Sequence, residues 1–495
     1  MTHGPMQFDF SFGKPQGARR VDDEDPFRIL VLADLGGSAV ERAASPLAAR
    51  KPLAVDIDNF DSVFDRLSPR LELDLDGTAL AIDFHSIDDF HPDRLFARLA
   101  PFVALRRLRA ELADPALFRL AAAALGAAPA AAQSPGAAPA AEDAGDIERL
   151  LGRKPAAAPA PPVAGLDIEG WLRGIVAPHV VPDIADQQAQ LTGAVDAAIT
   201  EQMRRVLHQP AFQALEGNWR GVERLVRELE LGESLQLCLL DVSRDELAQD
   251  AHAADPSRSA LHHHVCGPQT EPPDGKRWSL LVSDLAVGAD IDALQLLAAL
   301  GAMAGRAGAP VLAAARPSLL GCAGVDQLVD PRAWQPPEPD AAAYWAALRH
   351  CPLAPWIGLA LPRLLARQPY GAASEPIGTF GFEELPPSRE HEAYLWGSPA
   401  FALALLAGQA FTEDGWNMDL AAGLDIGDLP SHIYREDGES RQQPCAEVAT
   451  GESAGEAILQ HGIMAVLSYR NRNAARLLRW QSIADPLQPL QGAWV

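Results

Sequence analysis

Apolar positions along the chain follow two spacings, one typical of buried strands and one typical of helices. Continuous apolar runs that end at an acidic residue or a glycine predict strands at 27–37 (FRILVLADLGG), 234–242 (SLQLCLLDV) and 277–287 (RWSLLVSDLAV). Between such runs, apolar residues recur at every third or fourth position, as in IDALQLLAALGAMAGRAG, which predicts amphipathic helices. Because strands and helices alternate, the sequence predicts an α/β fold with a central sheet.

The segment 27–125, which follows an N-terminal arm at 1–26, has the pattern of a small α/β domain. Its FDSVFDRL stretch (60–67) places the apolar residues on one helical face. Apolar and polar residues alternate on both sides of Asp76-Gly77, which predicts a β-hairpin in RLELDLDGTALAIDF. The spacing in HPDRLFARLAPFVALRRLRAEL predicts one continuous helix that begins at a proline.

A second α/β region is predicted at 166–495, and it opens with helices. In FQALEGNWRGVERLV (212–226) the apolar residues are three and four positions apart, so Trp219 faces inward with them. Arg220 lies on the flank of this helix, beside Gly221. The Trp-Arg-Gly triplet is either a functional site or a packing contact, and the spacing favours packing.

An Ala/Pro-rich linker is predicted at 126–165, because such a composition cannot bury enough side chain to fold. Within it, DIERLLG (146–152) can form a short helix that places Ile147, Leu150 and Leu151 on one side. Two interpretations stay open for this helix. It is a docking peptide for a partner, or it packs on one of the chain's own domains.

The charge and composition of the chain exclude several classes of protein. The formal net charge of −25, from 41 basic and 66 acidic residues, repels phosphate backbones, so we expect no nucleic-acid partner. The chain has no apolar run of about 18 residues, so we expect no membrane insertion. Five scattered cysteines without a C-x-x-C pair favour a reducing compartment, and we expect a cytoplasmic protein.

Two clusters could be mistaken for metal sites. LHHHVCG (261–267) holds three histidines and a cysteine, but adjacent residues seldom present ligands on one side of one element. DFHSIDDFHPD (83–93) is rich in aspartate and histidine, and acids ahead of a helix also cap its free amides. We therefore expect no metal. An enzymatic hypothesis would rest on these two clusters alone.

The remaining chemistry is also sparse. The chain has no phosphate-binding loop, dinucleotide-binding glycine motif, nucleophile elbow or H-E-x-x-H sequence, so we expect neither a cofactor nor catalytic residues. PRLLARQPYG (362–371) carries Arg363 and Arg367 between two prolines and ends at Tyr370-Gly371. These arginines could bind an anion. The favoured interpretation is that they pair with internal carboxylates, such as Glu383 or Glu384.

Several sequence stretches taken together resemble the contractile tail sheath of the bacterial type VI secretion system. The first region resembles the small sheath subunit, and the second resembles the large one over nearly its whole length. The stretches of the first region are PFRILVLADLGG, AVDIDNFDSVFDRLSPRLEL and FHPDRLFARLAPFVALRRLRAEL. Those of the second are ITEQMRRVLHQPAF, FQALEGNWRGVERLV, SLLVSDLAV, PRLLARQPYG, FGFEEL and EAYLWGSPAFALA.

The resemblance implies a structural protein with two interlocking α/β domains of sheath type. Sheaths of this family wrap a tube of secreted protein, contract by rearranging subunit contacts, and are later dismantled by a hexameric unfoldase. The implied partners are the chain itself or other sheath subunits, with the tube protein, baseplate proteins and the unfoldase as further candidates. The resemblance implies structural roles for seven residues: Trp219, Arg220, Gly221, Arg363, Arg367, Tyr370 and Trp396.

The chain also departs from the large-subunit pattern. It ends soon after RLLRWQSIADPLQP, where that family continues, so we expect a C-terminally truncated large-subunit-like domain. Fewer inter-subunit strands would then be available, and we expect the protein alone to form monomers or small oligomers. The alternative function is a cytoplasmic adaptor or cap of the secretion apparatus that does not itself polymerise.

Overall fold

The computed structural model describes residues 22, 24–37, 42, 45–75, 77–125, 187–251, 259–267, 277–386 and 388–494. Its fold class is α/β, as predicted. The chain forms two compact units. One contains residues 1–94 and 203–495, and the other contains residues 95–202.

A nine-stranded sheet in the described part of the chain organises the first unit. Its spatial order is β11-β15-β14-β8-β7-β6-β1-β5-β2. In chain order these strands are β1 Phe27–Ala33, β2 Leu53–Val55, β5 Leu235–Asp241, β6 Leu280–Val287, β7 Val311–Ala315, β8 Ile357–Leu361, β11 Asp425–Ile426, β14 Met464–Ser468 and β15 Ala475–Leu477. Three two-stranded sheets accompany it: β3 Arg70–Leu75 with β4 Thr78–Asp83, β9 Leu364–Leu365 with β10 Trp396–Gly397, and β12 His432–Glu436 with β13 Glu439–Gln443.

The two predicted domains interlock through β1, which lies between two strands of the later region. β1 runs parallel to β5, with Phe27 opposite Leu235, and parallel to β6, with Ile29 opposite Leu280. Every residue of β1 except Arg28 is buried, which explains its continuous apolar sequence. The short β2 pairs antiparallel with the other side of β5 and forms the edge of the sheet. The predicted interlocking is therefore confirmed.

The helices follow the predicted stretches closely, with one correction. HPDRLFARLAPFVALRRLRAEL is two helices, because Leu99 has an extended backbone and Pro101, which has no N–H to donate, lies in the first turn of the second. The helices are α1 Phe60–Leu67, α2 Pro92–Arg98, α3 Ala100–Ala113, α4 Phe118–Ala124, α5 Gln187–Leu207, α6 Pro210–Glu228, α7 Arg244–Ala251, α8 Ala260–Cys266, α9 Ile291–Ala307, α10 Pro339–Arg349, α11 Pro399–Asp414 and α12 Glu452–Gln460.

The core of the first unit covers both faces of the main sheet. On one face, α8, α9 and α10 bury alternate strand residues such as Leu30, Leu240 and Leu281. On the other face, α11 lies across the central strands β1, β5, β6, β7 and β8, and α6 packs against α11. Almost all of α11 is buried, so this apolar helix is enclosed by the sheet and by α6.

The second unit is helical in its described part. It contains α3, α4 and most of α5, and its core includes Phe102 and Leu105 of α3 and Val195 of α5. Arg109 Nε donates to Asp196 Oδ1 at 2.5 Å, which joins α3 to α5. Among the described residues of the chain, no helix has the length and apolarity needed to cross a membrane.

Candidate functional site

Trp219 connects α6 to the earlier segment of the chain. Its side chain has no exposed surface, and its ring centroid lies 4.3 Å from that of Phe64 and 5.9 Å from that of Phe60, both in α1. Its indole Nε1–H donates to the carbonyl oxygen of Leu35, just after β1, at 3.0 Å. The indole therefore packs against one element of the 27–125 segment and hydrogen-bonds another.

Gly221 allows α6 and α11 to lie close together. A Cβ atom at this position would lie 2.6 Å from two ring carbons of Phe401, well inside van der Waals contact. Gly217, one turn earlier on α6, has more space, since a Cβ there would lie 3.5 Å from the nearest atom, the carbonyl oxygen of Trp396. The glycine that follows Arg220 is therefore required by packing.

Arg367 is the centre of a buried ion-pair cluster. Its Nε donates to Glu216 Oε1 at 2.8 Å, and its Nη1 donates to Glu384 Oε2 at 2.7 Å. The guanidinium lies 4.2 Å from the centre of the Tyr370 ring, and the backbone N–H of Tyr370 donates to Glu384 at 2.8 Å. Burial alone would lower the pKa of Arg367, but Glu216 and Glu384 outweigh it and hold that pKa well above its ordinary value.

Arg220 extends this cluster along α6. Its Nε lies 3.5 Å from Glu216, and its Nη1 donates to Glu223 at 3.1 Å. Glu223 also pairs with Arg227 at 2.7 Å. Charges of alternating sign thus run along one side of the helix, with spacings of three and four residues.

Arg363 belongs to a separate ion-pair group. Its Nε donates to Glu447 Oε1 at 2.9 Å, and its Nη2 lies 3.5 Å from Glu392. Glu447 also contacts His391 at 3.0 Å, and Trp396 stacks on the His391 ring with 5.0 Å between centroids. The pKa of Glu447 is lowered, because contacts with His391 and Arg363 outweigh the effect of burial.

The partners named from the sequence for the two arginines are found only in part. Arg367 pairs with Glu384, one of the two acids named, and with Glu216 from α6. Glu383 pairs with neither arginine, and its Oε1 instead accepts the backbone N–H of Ala372. Sequence reasoning could not identify Glu447 as the partner of Arg363, because 84 residues separate them.

A second polar cluster lies at the carboxyl ends of β1 and β5, beside Asp284 of β6, and sequence reasoning missed most of it. The N–H groups of Leu35 and Gly36 both donate to Asp241 Oδ1 at 2.8 Å. The N–H of Asp34 donates to Asp284 Oδ2 at 2.9 Å. A signal was available, because β5 ends at Asp241, Asp34 directly follows β1, and Asp284 interrupts the apolar sequence of β6.

Two more side chains complete this cluster. Asn218 Nδ2 donates to Asp284 Oδ2 at 2.9 Å and to the carbonyl oxygen of Asp34 at 3.0 Å. Arg42 pairs with Asp34 and lies 3.3 Å from Asp241. Burial, together with repulsion from Asp34, raises the pKa of Asp284 to about 6. In α/β proteins, ligands bind at this end of a parallel sheet. Here the backbone N–H groups of Leu35 and Gly36 already donate to the carboxylate of Asp241.

A cleft of about 590 Å³ lies beside the Arg367 cluster. Its lining includes Arg220, Arg224, Tyr370 and Phe401. Arg220 is already paired with Glu216 and Glu223, and Arg224 is paired with Glu228. Both arginines are therefore neutralised by acids of their own helix, and Arg224 also donates to the carbonyl oxygen of Gly427 at 2.7 Å.

The candidate metal ligands have other contacts. His264 Nε2 lies 2.9 Å from the carbonyl oxygen of Leu47, and Cys266 Sγ lies 3.5 Å from that of Met303. Asp89 accepts the backbone N–H of His85, and Asp93 accepts that of Gly378. Within the described ranges, no three histidine, cysteine, aspartate or glutamate residues are grouped to hold a metal ion. The predicted linker helix, with Ile147, Leu150 and Leu151, lies outside the described residues.

Comparison with known protein families identifies the family of this chain. Residues 189–484 match the family model described as "EvpB/VC_A0108, tail sheath N-terminal domain", which covers more than half of the chain. The chain belongs to the tail sheath family of the type VI secretion system. Residues 11–117 match a second model, described as "Type VI secretion system, VipA, VC_A0107 or Hcp2". The chain therefore joins small-subunit and large-subunit sheath sequences in one polypeptide.

Two relatives from Pseudomonas aeruginosa PAO1 agree with this assignment. The chain is 28% identical to the type VI secretion system sheath protein TssC1 over 309 residues, or 60% of this chain and 61% of that protein. It is 33% identical to the sheath protein TssB1 over 96 residues, or 18% of this chain and 55% of that protein. The chain thus spans about three fifths of one sheath protein and just over half of the other.

Proposed function

We propose that this chain is a structural subunit of a type VI contractile sheath, in which one polypeptide supplies both halves of the building block. The observation that carries the proposal is the position of β1, between β5 and β6. β1 lies in the region that matches the small-subunit family, and β5 and β6 lie in the region that matches the large-subunit family. A strand buried on both sides belongs to a permanent unit.

The proposed partners are further copies of the chain or other sheath subunits. The two sheath relatives are separate proteins, and fusing their counterparts holds the two halves at high effective concentration. We extend the proposal to the tube protein, the baseplate and the unfoldase as later contacts, in the cytoplasm of a bacterial cell. The proposed role requires no cofactor and no catalytic step.

The paired charges and buried rings described above have structural roles in this proposal. Arg367 connects the 362–384 loop region to Glu216 of α6, and Arg363 connects the same region to Glu447. Trp219 connects α6 to the small-subunit-like segment. We assign the same kind of role to Arg220, Gly221, Tyr370 and Trp396. Gly221 allows the close approach of α11, and Trp396 stacks on His391. Tyr370 lies against the Arg367 guanidinium, and Arg220 shares Glu216 with Arg367.

Electron microscopy of the labelled protein tests the proposal. The purified chain is gold-labelled and mixed with a separate pair of type VI sheath subunits, and the pair without the chain is the control. We expect label along the whole length of sheath-like tubes. Label at one end only would support the alternative, a cap or adaptor that does not polymerise. Tubes without any label would contradict the proposed function.

A further inference from the structure

A positively charged pocket of about 520 Å³ lies at the β2 edge of the main sheet. Leu53 of β2 and Leu239 of β5 line it. One carboxylate, Asp241, also lines it, together with four cations: Arg42, Arg50, Lys51 and Arg66. This concentration of positive charge is notable in a chain with a formal net charge of −25.

The four cations differ in how many carboxylate partners they have. Arg50 pairs with Glu246 at 2.5 Å, and Arg42 pairs with Asp34 and Asp241. Arg42 Nε also lies 3.6 Å from Glu246 Oε2, so three carboxylates surround the Arg42 guanidinium. Lys51 and Arg66 are exposed, and neither has a carboxylate within ion-pair distance in the part of the chain that the structure describes. The pocket can therefore accept added negative charge.

An acidic hairpin projects from the first unit elsewhere. β12 and β13 are joined by the two-residue turn Asp437-Gly438, in which both residues have positive φ, as in a type I′ turn. The hairpin is held at Glu436, which pairs with Arg389 at 2.6 Å. Asp437 and Glu439 are exposed, and within the described ranges their carboxylates have no cation partner.

The pocket and the hairpin are at opposite edges of the main sheet. The pocket adjoins β2, the strand at one end of the sheet order. The hairpin follows β11, the strand at the other end, and Gln442 Nε2 donates to Asn473 Oδ1 in the β14–β15 turn at 3.2 Å. Complementary patches at opposite ends of a subunit make a head-to-tail contact, which can repeat from copy to copy.

We infer that the acidic tip of the β12–β13 hairpin in one copy of this chain docks into the Lys51/Arg66 pocket of the next copy. Asp437 and Glu439 then meet Lys51 and Arg66. The narrow two-residue turn suits entry into a pocket. The inference rests on the proposed function, because it specifies how sheath subunits of this kind contact one another.

Sedimentation velocity of the full-length protein tests this contact. Lys51→Glu/Arg66→Glu removes the pocket charge, and Asp437→Asn/Glu439→Lys removes the tip charge. We expect the unmodified protein to associate with rising concentration at low salt, and each variant to associate at least about tenfold more weakly. An equimolar mixture of the two variants retains one intact pocket and one intact tip, so it should form dimers and no larger species.

The matched control is Arg119→Glu/Arg332→Glu, which changes the same charge at exposed positions that do not line the pocket. It should associate like the unmodified protein, and melting temperatures should show that all variants fold. An unmodified protein that stays monomeric at low salt would overturn the inference. So would variants that associate normally, or a mixture that stays monomeric. Failure of the proposed function is seen separately, as sheath tubes without label.

Discussion

Trp219 carries a packing contact and a hydrogen bond at the same time, and the two can be separated. Trp219→Ala removes a fully buried ring from against Phe60 and Phe64, so we expect it to lower the free energy of unfolding by about 3–5 kcal/mol. Trp219→Phe keeps much of the packing but leaves the Leu35 carbonyl oxygen without its donor, at a cost smaller than that of alanine. Urea unfolding measures both. Equal stability of the alanine variant and the unmodified protein would disprove the core role.

Arg367 neutralises two buried carboxylates. Arg367→Met leaves Glu216 and Glu384 without this cation, and we expect a loss of about 3–5 kcal/mol in unfolding free energy. The triple variant Arg367→Met/Glu216→Gln/Glu384→Gln should recover part of that loss, because no buried charge is then left unpaired. Arg363→Met is the matched comparison. It should cost less, since Glu447 retains His391. A single Arg367 variant as stable as the triple would contradict this account.

Asp284 gives the stability a specific pH dependence. Its pKa is raised from an ordinary 3.8 to about 6 in the folded protein, so the folded state binds more protons than the unfolded state between these values. Its contribution to stability therefore falls as the pH rises from about 4 to above 6. The stability of Asp284→Asn relative to the unmodified protein should therefore rise with pH, by about 2 kcal/mol between pH 4.5 and pH 7.5.

Chemical denaturation at pH 4.5, 6 and 7.5 measures this difference. The exposed Glu413→Gln is the control, and its stability difference from the unmodified protein should not follow that course. A stability difference for Asp284→Asn that is the same at all three pH values would show that the carboxyl does not titrate in this range.

At the scale of elements, two glycines on α6 have opposite expected effects. Gly221→Ala forces a Cβ against Phe401 of α11, so we expect a loss of about 1–3 kcal/mol in unfolding free energy. Gly217→Ala, one turn away, meets only an ordinary contact and gains the helix preference of alanine, about 0.5–1 kcal/mol. Thermal unfolding compares them directly. Two variants with the same melting temperature would mean that the α6–α11 approach is not limited by Phe401.

Local sequence pattern predicted most of these elements, because burial and helix spacing act over short distances. The stretches FRILVLA, SLQLCLLDV and RWSLLVSDLAV form β1, β5 and β6, and FQALEGNWRGVERLV lies within α6, as its spacing predicted. The break at Leu99 was missed, because the apolar spacing continues across it while Pro101 favours a new start. The position of β1 between two later strands could not be read from spacing, since register between distant strands depends on the assembled sheet.

For the candidate site too, local features could be predicted from the sequence, whereas contacts between distant residues could not. The inward orientation of Trp219 followed from spacings of three and four residues. The cluster of Asp34, Asp241 and Asp284 could not be predicted in this way, because β1, β5 and β6 become neighbours only once the sheet has formed in its observed order. The partner of Arg363 is distant in sequence for the same reason.

At the scale of the whole molecule, the central claim is that the small-subunit-like and large-subunit-like segments form a single folded unit. β1 has hydrogen-bonded neighbours on both sides, and both neighbours come from the later segment. Trp219, Asn218 and Asp241 then contact the residues that follow β1. An element held in this way unfolds with the unit around it, so its local stability should equal that of its neighbours.

Hydrogen exchange of the full-length protein, followed by mass spectrometry at increasing denaturant, tests this claim most directly. The account predicts that the backbone amides of β1 exchange as slowly as those of β5 and β6, and that all three strands lose protection in the same transition. Fast exchange of β1 while β5 and β6 stay protected would contradict it, because the two segments would then be separate folding units.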